Sequence, residues 1–346
     1  MNTWMIVMHT TRKLNKVRNS FYVYLPKEWI DEYGLDEKSE VRIDRVADGA
    51  LHVLPSTVTR KQVGPLKLKI EKDESQNVVN LLVGSYIVGA DDLELEFTEE
   101  IDMATRGEIS AWVEKLKGYD ILDEHSKNIS ISDILTTEKE KDVIRKMLRR
   151  QFSTTKYMLN GMMEIIETSK LGDHEHIISR DEEVDKNRYF VERVCHLVLR
   201  DPSYARDISL SATDALNFSL AAKYVERIAD HICGGIQELV TKTSVEAELK
   251  KLAAKVAQLY EETTSTFFSI DKKGKRVTEN LPGDSSQAFV ALRSSSPLIE
   301  ALENLESARS KKSPSEVLLA MHLERIASYC ADIIEIGINR IIEAQL

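Results

Sequence analysis

The chain is poor in aromatic residues, has few cysteines and lacks any long apolar run. Aromatics make up 6% of its 346 residues, whereas charged residues make up 30%. That balance suits long amphipathic helices better than a large sandwich or barrel. The three cysteines, Cys195, Cys233 and Cys330, lie in helical stretches without C-x-x-C spacing. They read as buried free thiols in a reducing compartment, not as a disulfide framework. The longest apolar run, around Val78 to Ala90, is too short to span a bilayer. Met1 to Met8 lacks the charged start and apolar core of a signal peptide. A soluble, cytoplasmic protein without membrane insertion is expected. A Walker A loop, a dinucleotide fingerprint, H-E-x-x-H and G-x-S-x-G are all absent, so an enzyme is not expected. With a net charge of −10 the chain as a whole cannot coat nucleic acid. Any DNA contact must come from a local basic patch.

What is present is a repeat. Val225-Glu226-Arg227-Ile228-Ala229-Asp230-His231 returns about a hundred residues later as Leu323-Glu324-Arg325-Ile326-Ala327-Ser328-Tyr329. The period is too long for a solenoid and predicts a duplicated domain. In the first copy Glu226 and Asp230 are four apart and share a helix face, as do Asp181 and Asp185 on the preceding helical stretch. Helical bundles hold hard cations by projecting such carboxylates inward from facing helices. The same spacing also describes an ordinary solvated acidic face. The second copy has Ser294, Leu298 and Ser328 where the first has Asp181, Asp185 and Asp230, leaving Glu324 alone. No metal is expected there; a salt bridge to Arg325 or Arg293 is. His174, His176 and His231 lie near the acidic motifs, but no E-x-x-H pair accompanies them.

At this length two or three domains with sizeable cores fit. Residues 12 to 56 read as a β-rich unit. Phe21, Val23 and Leu25 alternate as in a strand, Pro26 opens a short helix and Gly34 closes it. Val41 and Ile43 restart the strand pattern, and Asp48-Gly49 turns the chain into Leu51 to Leu54. A unit this small needs a second copy to complete a core. Arg12, Lys13, Lys16 and Arg18 form a basic strip with no acidic residue before Glu28. Such a strip can follow a phosphate backbone, or serve as a charged edge that discourages aggregation. Residues 65 to 135 alternate strand and helix patterns, predicting a small α+β connector. From Thr137 the period is helical. Capping boxes at Thr137/Glu140 and Ser313/Glu316, and breaks between them, predict six helices over about 138–169, 173–200, 204–240, 244–270, 285–309 and 314–343.

The order of strand, Leu25-Pro26-Lys27 helix, Gly34-Leu35 and hairpin resembles the AbrB/MazE/SpoVT family. That resemblance implies a swapped-hairpin β barrel built from two chains, and DNA binding through Arg12, Lys13, Lys16 and Arg18 over residues 8–57. The family often has glycine in the turn where Asn19 stands, and asparagine tolerates the left-handed conformation. Asp181-Glu182-Glu183-Val184-Asp185 and Glu226-Arg227-Ile228-Ala229-Asp230 resemble the PhoU family of phosphate-response regulators. Two three-helix bundles, 137–241 and 244–346, are then implied, with a divalent or trivalent ion (iron, manganese or magnesium) on Asp181, Asp185, Glu226 and Asp230. The resemblance further implies a homodimeric DNA-binding transcriptional regulator of phosphate uptake, with a phosphate transporter or sensor component as partner. An adaptor that only dimerises through its first unit, and a carboxylate-bridged metal oxidase, are the alternatives.

Overall fold

The computed structural model describes residues 11–45, 49–55, 64–71, 77–134, 142–240, 244–269, 283–307 and 313–344. The chain divides into two compact units, Met1–Gly64 and Pro65–Leu346.

In the first unit, strands β1 (Asn15–Val17) and β2 (Ser20–Tyr22) form a tight hairpin, with Lys16 opposite Phe21. Its two-residue loop is Arg18-Asn19, and the left-handed residue is Arg18, at φ 52°, not Asn19. The expected strand through Leu25 stops at Tyr22. Helix α1 (Lys27–Glu32) begins after Pro26. It ends as its Gly34 predicts: Gly34 takes φ 58°, and the amides of Gly34 and Leu35 donate back to the carbonyls of Asp31 and Ile30. Strands β3 (Val41–Arg45) and β4 (Leu51–Pro55) form a second hairpin, Ile43 opposite Val53. Asp48 of the expected turn lies outside the described residues. Neither hairpin closes into a barrel within the chain. The described residues of this unit supply only these two open hairpins, so the expected two-chain barrel is not supported here.

The second unit opens with an α+β layer. Strands β5 (Leu66–Ile70), β6 (Asp92–Phe97), β7 (Tyr119–Glu124) and β8 (Asn128–Asp133) form one sheet in the order β5-β6-β8-β7. Only β5 and β6 are parallel, joined by helix α2 (Val78–Ile87). Helix α3 (Met103–Val113) leads into the antiparallel pair β7–β8 and starts on Asp102, whose side chain accepts from the Thr105 amide at 2.8 Å. Leu93, Leu95, Ile129 and Ile131 alternate inward and meet Leu82, Tyr86 and Ile109 of the helices.

The remainder is helical: α4 (Val143–Thr168), α5 (His174–Ser179), α6 (Asp181–Arg200), α7 (Pro202–Asp207), α8 (Ala212–Val240), α9 (Ala247–Phe267), α10 (Gly283–Ser307) and α11 (Pro314–Glu343). Two of the six expected helices are each divided, at Arg180 and at 208–211, where Ser209 turns left-handed at φ 56°. Of the capping box at Ser313 the N-cap half is present, its Oγ accepting from the Glu316 amide at 3.4 Å. That at Thr137 falls outside the described residues. Helices α4, α6 and α8 pack together, as do α9, α10 and α11, and α8 lies along α11 so that one hydrophobic core runs through both sets. The repeated phrases meet there. Tyr224 stacks on Tyr329 with centroids 5.8 Å apart, and His231 Nδ1 lies 3.0 Å from His322 Nδ1, so α8 and α11 run antiparallel. Gly234 permits the close approach; a Cβ on it would run into the His322 ring of α11.

The α+β layer is locked onto α6 by one side chain. Arg193, 3% exposed, donates to the carbonyls of Tyr86 (2.7 Å) and Ala90 (2.8 Å) and to the carboxylates of Asp91 (3.1 Å) and Asp133 (2.8 Å). Arg200 donates to the Val88 and Gly89 carbonyls, both at 3.0 Å. Both guanidiniums thus gather at the C-terminal end of α2, where cations suit the helix dipole.

Candidate metal centre and nucleic-acid interface

Asp181 lies in the first turn of α6 and Asp185 one turn on, while Glu226 and Asp230 face them from α8. The antiparallel packing of consecutive helices brings the two pairs into one electrostatic cluster. Burial pushes Asp181 up to about 7, helped by the charges of Asp185, Asp230 and Glu226. Burial also pushes Glu226 up to about 7, opposed by Arg188 and reinforced by Asp230 and Asp185. Asp185 and Asp230 are raised by burial too, each opposed first by Arg188. Asp230 is the most exposed of the four and forms the rim. The other acidic residues of the motif are engaged elsewhere: Glu182 pairs with Lys115 at 3.3 Å, and Glu183 with Arg150 and Arg180.

The donors fit a hard cation, being four carboxylates whose mutual repulsion a cation would relieve. Asp181 Oδ1 is enclosed and has no hydrogen-bond partner, an orphaned acceptor of the kind a cation satisfies. The shell is not preassembled, since among the described residues no three His, Cys, Asp or Glu stand together in ligating geometry. In the way is Arg188, which sequence reasoning missed although it is three residues beyond Asp185 on the same helix face. Its Nε stands 3.3 Å from Glu226 Oε1, its Nη1 donates to Glu192 Oε2 at 3.1 Å, and its guanidinium lies 4.2 Å from the Tyr189 ring centroid. Cys233 was missed as well. It is half-buried, not buried as expected, and burial together with the charges of Asp181, Asp230 and Asp185 pushes its thiol up to about 12. The spacing Glu226, Asp230, Cys233 places it on the same stripe of α8.

Among the described residues the second repeat has no such cluster. Glu324 accepts from Ser328 Oγ at 2.7 Å and lies 3.4 Å from Arg325 Nε, as the lone carboxylate predicts.

A pH dependence follows from the raised carboxyls. Asp181 and Glu226 hold their protons more tightly folded than unfolded, where a carboxyl titrates near 4. Their contribution is therefore favourable below about pH 4 and is lost as pH rises towards about 7. In the metal-free protein, Asp181→Asn should flatten part of that decline in melting temperature between pH 5 and 8. Parallel curves for the two proteins would contradict it.

In the first unit Arg12 and Lys13 lie in the extended segment before β1, Lys16 on β1 and Arg18 in the turn; all four are exposed. Lys16 Nζ lies 5.8 Å from the Phe21 ring centroid. Among its described residues the unit has almost no interior, since Leu14, Phe21, Tyr24 and Leu51 are 70%, 64%, 66% and 63% exposed.

Together these units define a multidomain protein: a small hairpin unit with a basic strip, then a helical body carrying an acidic cluster. Comparison with known families agrees. A PhoU domain model matches residues 148–238, and the model of the antidote-toxin recognition protein MazE, a bacterial antitoxin, matches residues 14–61. The chain thus carries a MazE/AbrB-type unit followed by a PhoU domain, a combination that fits a phosphate-associated regulator; both families are regulatory. The PhoU match spans α4 from Leu148 to α8 at Glu238, and so contains all four carboxylates. No curated protein and no solved structure matches the chain. No helix among the described residues is long and apolar enough to cross a membrane.

Proposed function

We propose that the protein is a homodimeric DNA-binding transcriptional regulator of phosphate homeostasis whose PhoU domain holds a metal ion. The observation that carries DNA binding is the incomplete first unit. Its apolar side chains Leu14, Phe21, Ile43 and Leu51 are exposed in a single chain, beside exposed Arg12, Lys13, Lys16 and Arg18. A second copy would bury the apolar faces and double the basic strip, the arrangement of the swapped-hairpin family that the MazE match supports. Asp181, Asp185, Glu226 and Asp230 would hold iron, manganese or magnesium, which would supply charge to neutralise the cluster and to hold α6 against α8. The PhoU match supports a phosphate transporter or sensor component as protein partner.

Full-length protein should be a dimer at micromolar concentration in light scattering and be retained on DNA in a salt-dependent manner. The combined change of Arg12, Lys13, Lys16 and Arg18 to Ala should weaken binding and reduce the slope of log K against log salt by about 0.9 for each lost phosphate contact. Unchanged DNA retention by that variant would leave only the adaptor role for the first unit. A monomeric full-length protein would overturn its dimeric assignment.

A further inference from the structure

We infer that Arg188 is a tethered counter-ion of the acidic cluster, which an external cation must displace to bind, so that Arg188 sets the cation concentration at which the site fills. This rests on the metal reading of Asp181, Asp185, Glu226 and Asp230. Three observations lead to it. First, Arg188 already stands where α6 meets α8. Its side chain is 13% exposed and its Nε is 3.3 Å from Glu226 Oε1. Second, its hold there is incomplete. That Nε is enclosed yet forms no aligned hydrogen bond, whereas Nη1 is well seated on Glu192 of its own helix. Moving away from Glu226 would leave the guanidinium its contacts with Glu192 and the Tyr189 ring. Third, one guanidinium cannot serve the whole cluster. It reaches Glu226 and Glu192, while Asp181 keeps its enclosed Oδ1 without a hydrogen-bond partner.

A multivalent ion carries more charge and accepts oxygen donors from several directions, so it can satisfy Asp181 as well. Arg188 and the ion then compete for Glu226, and the apparent affinity is reduced by the fraction of molecules in which the guanidinium holds the site. The other cations nearby are differently placed. Lys115 is engaged with Glu182, although its charge also reaches Asp185, and Arg227, whose charge reaches Glu226 and Asp230, leans over the Tyr329 ring, 6.0 Å from its centroid. A site with a built-in competitor responds over a set range of cation concentration instead of staying filled.

The test is a titration of full-length, chelator-stripped protein with manganese(II), followed by the loss of the free-ion paramagnetic resonance signal at pH 7.5. Arg188→Met should bind manganese at least about tenfold more tightly than the native chain, the result of removing a unit charge a few ångströms away. Lys115→Met should shift the affinity by no more than about twofold. Adding Asp185→Asn should abolish binding in either background. Arg188→Gln, also uncharged but polar, must show the same tightening, which guards against a Met variant that folds poorly. Native-like or weaker binding by folded Arg188→Gln would overturn the counter-ion role while leaving the metal site standing. No manganese bound by either the native chain or the variants would mean that the metal reading itself had failed, and the counter-ion role with it.

Discussion

Replacing Arg193 by methionine should detach the α+β layer from α6 and destabilise that junction by about 3–5 kcal/mol, the usual range when one partner of a buried pair is removed. The size follows from what is left behind. Asp133, largely buried, would lose the guanidinium 2.8 Å away, and the carbonyls of Tyr86 and Ala90 would each lose one donor, keeping the Gly89 amide and the Tyr119 hydroxyl. Arg193→Lys should recover little. A single ammonium cannot present the planar fork that reaches two carbonyls on one side and two carboxylates on the other. Hydrogen exchange should show faster exchange across α2 and at the β7–β8 pair, with protection in α8 and α11 kept. Unchanged protection over Tyr86 to Asp91 would show that apolar packing, including Tyr189 in the α+β core, suffices to hold the layer.

That junction was invisible in the sequence for a physical reason. Arg193 sits in Val191-Glu192-Arg193-Val194, which reads as an ordinary helix with a solvated charge pair, and its acidic partners are 102 and 60 residues away. Local features were legible because their causes are local. Gly34 ends α1, Ser313 caps α11, and alternating Leu93, Leu95 and Phe97 make β6. The division of the third predicted helix was hidden because Ser209, not glycine or proline, takes the left-handed turn. The acidic cluster was legible in part. Spacing of four selected Asp181 with Asp185 and Glu226 with Asp230, but it did not reveal Arg188 between the pairs. The barrel came only from the family resemblance, and among the described residues the two hairpins stay open.

Loss of the carboxylates should have the largest effect on metal content. Replacing Asp185 and Asp230 together by Asn removes one proposed ligand from each helix and two of the four carboxylates, while Val184, Ile228 and Ala229 beneath them stay packed. The first bundle should therefore remain folded. Above about pH 7 the metal-free double variant should melt a few degrees higher than the metal-free native protein, because ionised Asp181 and Glu226 then face less repulsion. Below about pH 5 that advantage should vanish, since Asp181 and Glu226 keep their protons there. A double variant that melts lower at every pH would mean that Asp185 and Asp230 are held by partners that stabilise their charged forms.

The second repeat supplies the control for the central claim, that only the first repeat is a metal site. Glu324 is the counterpart of Glu226, but it is taken by Ser328 and Arg325 and has no companion carboxylates at the other positions. The direct measurement is elemental analysis of three proteins purified in the same way: native, Asp185→Asn with Asp230→Asn, and Glu324→Gln. The native chain and Glu324→Gln should carry equal amounts of iron, manganese or magnesium, and the double variant should carry none above background. Equal loss from Glu324→Gln and the double variant, or full metal retained by the double variant, would contradict it.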